Sequence, residues 1–279
     1  MTEASVEGIL PDASELKGDS RLIILLGSPD GTKGVSRKLS AVEGVQRIRK
    51  GVFIVHGYSE LHDTILQNQP VTSFIKTRKI PTARMKLEES YENRVYSIVS
   101  FSFSNPTAQQ KKYVERLIRK TPGVRLRPGV ILFPLLRSRE RRRILGSENE
   151  RVLIDSSEFS RLVRENGGNT LRWSRIRIIN LNGNSHIRDA VERTLAKDLA
   201  PLEEKIRSLR DRCKDSTVVI GQLKTNYTQL SRSFRESKTK WLLAKQLWFF
   251  DAEKALKSTY NKLINTRRSI IDEEAKRST

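Results

Sequence analysis

Cysteine is nearly absent from this 279-residue chain, where Cys213 stands alone. One thiol excludes an internal disulfide framework and a zinc site built on cysteine. Histidine is almost as scarce, with only His56, His62 and His186. His56 and His62 stand six residues apart without a carboxylate pair at ligand spacing, so no metal is expected. Long apolar runs are missing as well. The longest, Leu22–Leu26 and Val130–Leu136, fall far short of the roughly 20 residues of a membrane span. A soluble chain is the expectation. The first twenty residues carry no basic-then-apolar leader, so no secretion signal is readable and a cytoplasmic location is expected.

Acidic residues are the other shortage: 32 Asp and Glu face 53 Lys and Arg, a net charge of +21. Such a balance disfavours an enzyme of cationic substrates. Apolar residues make up 37% of the chain, below the usual share of roughly 45–50%, yet enough for two or three small cores at this length. Catalytic signatures are lacking too. Gly27-Ser28-Pro29-Asp30-Gly31-Thr32-Lys33-Gly34 lies between a predicted strand and a predicted helix. It departs from phosphate-loop spacing because glycine follows Lys33, and it reads as a turn. No dinucleotide fingerprint or nucleophile elbow is present. Asp30, ending the first strand, has the place of a metal-binding acid in a dimeric nuclease, but the matching position further along is Asn105. The chain reads as non-catalytic, with no cofactor.

What the chain does contain is one arrangement written twice. Residues 1–20 form a small, acidic tail, expected to be flexible. Leu22–Leu26 is a short buried strand ended by turn residues. A helix at 32–41, a strand pair through Val45–Val55 joined at Lys50-Gly51, a helix at 59–68 and a strand at 71–79 complete a β-α-β-β-α-β unit over 21–90. The second unit, 91–183, opens on Val95–Phe103, where apolar residues largely alternate with serine. Helix 106–120, strands through 124–133, helix 157–165 and strand 171–181 follow. Arg47-Ile48-Arg49-Lys50-Gly51-Val52 matches Arg125-Leu126-Arg127-Pro128-Gly129-Val130 at a constant offset of 78. The expected fold class is α+β: two tandem ferredoxin-like units, each a four-stranded antiparallel sheet with both helices on one face.

Residues 184–279 differ. Leu195, Leu202 and Leu209 recur every seven residues, as do Ile220, Tyr227, Phe234, Trp241 and Trp248, the seam of a coiled coil. Pro201 is expected to start or kink the first helix. Asp215-Ser216-Thr217 reverses the chain, giving a helical hairpin of about 200–214 against part of 217–274. The second helix outruns the first. Its cluster, with Tyr227, Phe234, Trp241, Trp248 and Phe249 as assembly residues, therefore needs either the sandwich units or a second subunit. A homo-oligomer or a protein partner through 217–274 follows from the second choice.

The positive charge is unevenly placed. Residues 21–185 hold 31 basic and 14 acidic side chains, whereas residues 186–279 hold 21 and 13 and the tail one and five. Basic residues of helix 106–120 read as a solvated face. Arg137, Arg139, Arg141, Arg142 and Arg143 are five arginines within seven residues, and Glu140 is the one acid inside the run. They repel one another unless an anion lies among them, and phosphate is the commonest such anion. Lys76, Arg78 and Lys79 form a second cluster, and Arg172 and Arg175 a third. Arg47 with Arg49, and Arg125 with Arg127, stand two apart on one strand and so share a face. Each pair either clamps phosphates or pairs with acids of the second helices.

Gly51-Val52-Phe53-Ile54-Val55, the helix Glu60–Leu66 and the strand from Phe74 to Pro81 resemble a THUMP domain, the RNA-binding module attached to tRNA-modifying proteins. The resemblance covers residues 21–88. It implies binding at the tRNA acceptor end, with Lys76, Arg78 and Lys79 as backbone contacts. No methyltransferase or other catalytic domain accompanies it, which implies a binding or adaptor role. The two units, 95–181 especially, are also similar to the small nuclease-related subunits of CRISPR adaptation complexes and to PaaX-type repressor domains. That likeness implies duplex DNA binding and dimerisation, although Asn105 departs from a cleaving site. The leading expectation is a nucleic-acid-binding protein, RNA ahead of DNA. The alternative from another class is a structural assembly or adaptor protein acting through its coiled coil.

Overall fold

Residues 16, 19–27, 30–78, 94–135, 153–180, 182–248 and 250–278 are described in the computed structural model of the chain. The first half runs β1 (Arg21–Leu25), α1 (Lys33–Ser40), β2 (Val45–Arg49), β3 (Val52–Val55), α2 (Glu60–Leu66) and β4 (Val71–Lys76). The second runs β5 (Tyr96–Ser102), α3 (Ala108–Arg119), β6 (Val124–Arg127), β7 (Val130–Pro134), α4 (Ser156–Glu165) and β8 (Asn169–Ile178). Three long helices follow: α5 (Gly183–Arg212), α6 (Ile220–Trp248) and α7 (Glu253–Ser278). Local chemistry sets several of these boundaries. Thr107 and Gln110 form a capping box ahead of α3, with Gln110 N donating to Thr107 Oγ1 at 3.1 Å. Asp155 accepts from the backbone of Ser157 and Glu158 at 2.8 and 3.0 Å and so starts α4.

The strands build one antiparallel sheet in the order β2-β3-β1-β4-β8-β5-β7-β6. Two separate four-stranded sheets are the expectation from the repeat. Instead β4 pairs with β8, with Phe74 opposite Ile178 and Lys76 opposite Ile176. Joining the two halves there satisfies strand edges that would otherwise stand open to a second chain. The repeat itself holds down to backbone detail. Leu25 N donates to Gly51 O at 3.0 Å, and Phe101 N donates to Gly129 O at 2.8 Å. Gly51 and Gly129, at φ +69° and +73°, turn their hairpins through the left-handed region that glycine enters without cost.

Side chains alternate across the sheet and feed three cores. On one face Ile23, Leu25, Phe53 and Val55 meet Leu39 of α1 and Leu66 of α2. On the same face further along, Val99, Ile131 and Phe133 meet Val114 and Ile118 of α3 and Phe159 and Val163 of α4. The opposite face, carrying Leu22, Ile24, Phe74, Tyr96, Ile98, Trp173 and Ile178, is covered by the long helices through residues such as Ile187 and Val191. The molecule thus has three layers: short helices, sheet, long helices. Leu16, only 3% exposed, belongs to the same core.

The helical layer departs from a two-helix hairpin. α5 continues through Pro201, and the long second helix is broken into α6 and α7. Asp251 Oδ1 accepts from Glu253 N at 2.8 Å at that break, the local bond by which Asp favours a helix start. The heptad seam closes within the chain. Phe234 stacks on Tyr260 at 5.8 Å, Trp241 is 1% exposed, and Trp248 stacks on Tyr96 at 5.9 Å while donating to the Pro122 carbonyl at 2.7 Å. A tryptophan buries about 150–250 Å², so Trp248 contributes about 4–6 kcal/mol of gross apolar burial at ~25 cal/mol/Å². Tyr227 is half-buried against the same core. Phe249 lies outside the described residues. The described seam residues are thus covered by the other long helices, at Tyr260 and Asp198, and by the sheet at Tyr96. Among the described residues no helix is long and apolar enough to cross a membrane.

Candidate nucleic-acid interface

Basic side chains of the long helices find acids. Lys224 pairs with Glu274 at 2.6 Å, Lys240 with Asp198 at 2.7 Å, Lys262 with Glu203 at 2.8 Å and Arg277 with Glu273 at 2.9 Å. Among the described residues of the sheet and short helices, Arg125–Glu115 and Arg161–Glu165 are the ion pairs. Most of the described cations of residues 21–78 and 94–180 thus lie outside these two pairs. Uncompensated charge of one sign raises the local potential and draws anions toward that surface.

The strand β8, at the middle of the sheet, concentrates this charge. Arg172, Arg175 and Arg177 are exposed and have no ion-pair partner among the described residues. Trp173, Ile176 and Ile178 point into the core under the long helices. Arg172 pairs across β5 with Val99, and Arg177 pairs across β4 with Ile75. Those registers put Arg172 on the face that carries the short helices, since Val99 packs in their core. Arg175 is the extra residue of a bulge: Tyr96 opposes Ile176 while Ser97 opposes Ser174. Its φ of +56° is the left-handed region, costly for a residue with a Cβ. Its carbonyl accepts from Thr77 N at 2.8 Å. That bond ties the bulge to the end of β4, where Lys76 and Arg78 are also exposed. Lys79 and the run Arg137, Arg139, Arg141, Arg142 and Arg143 lie outside the described residues.

The hairpin arginines do not share faces as their spacing implies. Arg47 opposes Phe53 but Arg49 opposes Val52, and Arg125 opposes Ile131 but Arg127 opposes Val130. Phe53 and Ile131 face the short helices, Val52 and Val130 the long ones. The same register shift in both hairpins turns the second arginine of each pair away from the first. Arg47 stays exposed on the edge strand β2, and a charge there discourages edge-to-edge pairing. Arg125 Nη2 pairs with Glu115 of α3 at 2.7 Å, on the first helix of its half rather than the second. Arg127 is 6% exposed and donates Nη1 to the Leu25 carbonyl at 2.6 Å. Arg49 Nη2 donates to the Asn169 carbonyl at 3.2 Å. Each second arginine therefore reaches a carbonyl of the opposite half. Burial pushes both guanidinium pKa values down, and the charge of Arg47 adds to this at Arg127.

The other chemistry-bearing residues are dispersed. Asp30 is exposed, and its carbonyl accepts from Lys33 N at 3.2 Å. His62 is buried and accepts from Ser59 N at 3.2 Å, serving the start of α2, while His56 bonds Ser20 at 2.7 Å. Among the described residues no three His, Cys, Asp or Glu side chains cluster as metal ligands do. Sequence reasoning passed over Lys50 and Arg164, exposed cations brought to one cleft with Arg49 by the fold. Nothing in their spacing of more than a hundred residues announces it. Compared with known proteins, the chain matches no family model and no curated protein.

Proposed function

We propose that the chain is a non-catalytic nucleic-acid-binding protein that engages phosphates with the basic surface around β8. The observation that carries this reading is the exposed set Arg172, Arg175 and Arg177, without an ion-pair partner among the described residues, beside Lys76 and Arg78. Arginines held in the middle of a sheet, one of them on a bulge, are positioned more rigidly than arginines on a loop. Guanidinium groups suit phosphate oxygens because they donate in a planar fork. The four-strand order β4-β1-β3-β2, repeated as β8-β5-β7-β6, supports reading each half as a ferredoxin-like unit.

The mode of binding follows from what the sheet has already spent. Described aromatic side chains of the strands are buried or half-buried, and the long helices cover the face opposite the short ones. Base stacking on an open sheet is thus not provided for, and phosphate contacts, which position without reading sequence, remain. RNA is the first ligand to test, tRNA ahead of others because of the resemblance of residues 21–88 to THUMP-type domains. Duplex DNA is the second.

Labelled tRNA and duplex DNA titrated between about 50 and 200 mM salt test the reading. Affinity should fall with a log–log slope of about −0.7 to −0.9 per phosphate contacted, and Arg172→Ser with Arg177→Ser should flatten it. Absence of binding to both, or binding insensitive to salt, overturns the proposal. Tighter binding of the duplex would move the ligand from RNA to DNA.

A further inference from the structure

The two hairpin tips meet, and the charges they bring together have no counter-ion among the described residues. Arg127 fits under the turn at Gly51, where a Cβ would stand 1.5 Å from its Nη1. Arg47 lies close enough for its charge to act on Arg127. Arg49 Nη1 is shut off from solvent and has no hydrogen-bond partner. The carbonyls of Leu25 and Asn169 account for one nitrogen each of the buried Arg127 and the half-buried Arg49, but a carbonyl does not neutralise a cation. No acid pairs with Arg47, Arg49 or Arg127 among the described residues. A buried charge left this way is costly, and chains retain such groups where an anion completes them.

Beside Arg49 opens a cleft of about 730 Å³, within the range of small-molecule sites. Lys50 and Arg164 line it as cations, and Phe101 and Leu171 as apolar wall. One cleft thus gathers three cations, Arg49, Lys50 and Arg164, and an apolar side. We propose that this cleft binds a phosphomonoester carried on a nucleotide-sized ligand, with Arg49, Lys50 and Arg164, the cations that line it, holding the phosphate. A phosphomonoester suits the site better than a carboxylate: it brings about 1.5–2 negative charges and three acceptor oxygens. The same group occurs on a free nucleotide and on the phosphorylated end of a nucleic acid. Its cations, Arg49, Lys50 and Arg164, are not those of the β8 surface, so this site stands or falls separately from the surface proposed above.

The full chain is titrated by calorimetry with inorganic phosphate, with AMP and with adenosine, at constant ionic strength set by chloride. In parallel, a 5′-phosphorylated oligonucleotide is compared with its 5′-hydroxyl twin. AMP should bind and adenosine should not. Lys50→Ala with Arg164→Ala, both at exposed positions, should weaken AMP about tenfold or more, as expected for loss of charge-assisted bonds. Arg49→Gln should abolish AMP binding, with folding checked by circular dichroism. A preference for the 5′-phosphorylated strand would identify a nucleic-acid end as the source, and no preference a free nucleotide. Equal binding of AMP and adenosine, no binding of AMP or phosphate, or an unchanged affinity in the Lys50/Arg164 double variant overturns the proposal. Oligonucleotides binding alike with and without the 5′-phosphate, while AMP fails, would leave the β8 surface standing and remove this site alone.

Discussion

Arg127 Nη1 donates to the carbonyl of Leu25 at 2.6 Å, from one half of the sheet to the other and across 102 residues of chain. Gly51 makes this possible by leaving the space that the guanidinium fills. Gly51→Ala should therefore cost about 1–2 kcal/mol for a left-handed alanine, plus about 1–3 kcal/mol for displacing Arg127 from its bond. The two parts separate in a double-mutant cycle. In an Arg127→Ala background, Gly51→Ala should cost only the backbone part. Denaturant midpoints of the four proteins measure this, and strict additivity would show that the glycine serves its turn alone.

Much of the sheet was legible because its strands are short apolar runs punctuated by turns, and the offset of 78 between the hairpins announced the repeat. The pairing of β4 with β8 was not legible: Phe74 and Ile178 look like any strand apolar residues until both edges are in place. The register shift before Arg49 and Arg127 hides for a related reason. Period-two reasoning assumes a regular strand, and a bulge announces itself only in the pairing partner. The heptad seam was visible, but Phe234, Trp241 and Trp248 could equally have faced a second subunit. Only the position of Tyr96 and Pro122 under Trp248 decides where that seam goes. For the interface, the sequence located the excess charge on residues 21–185 but not which cations lacked partners, since pairing is settled between distant segments.

Arg175 separates function from folding. Its bulge holds it at φ +56°, a conformation glycine adopts freely. Arg175→Gly should leave stability unchanged or raise it by up to about 1 kcal/mol, while weakening nucleic-acid binding and flattening its salt dependence. Thermal melts and salt titrations on one preparation measure both. Lower stability with unaltered affinity would make Arg175 a structural residue.

Asp198 Oδ2 accepts from Lys240 Nζ at 2.7 Å and from Trp241 Nε1 at 3.2 Å, joining α5 to α6. The Lys240 and Asp198 side chains are only 5% and 11% exposed. Asp198→Ala strands a buried ammonium and should cost about 3–5 kcal/mol. Lys240→Met added to Asp198→Ala should recover most of that loss, because two apolar groups replace a pair that had to be desolvated. Urea unfolding of the single and double variants tests it. No recovery would mean that the pair contributes through geometry that a methionine cannot reproduce.

Glu203 on α5 is held by α7, accepting from Thr259 Oγ1 at 2.7 Å and pairing with Lys262 at 2.8 Å. Burial works against its charge, but the bonds from Lys262 and Thr259 and the charge of Lys262 outweigh it and hold its pKa below the usual glutamate value. A carboxylate with a depressed pKa in the folded state stabilises above its unfolded pKa, near 4.3, and loses that contribution as pH falls through the lower folded value. Glu203→Gln should therefore be less stable than the parent chain at pH 7. The gap should close as pH drops from about 5 toward about 3, because the parent's Glu203 becomes neutral there. Denaturant midpoints of the two proteins across that window measure the gap. A gap that stays constant with pH would assign the contribution of Glu203 to packing instead of charge.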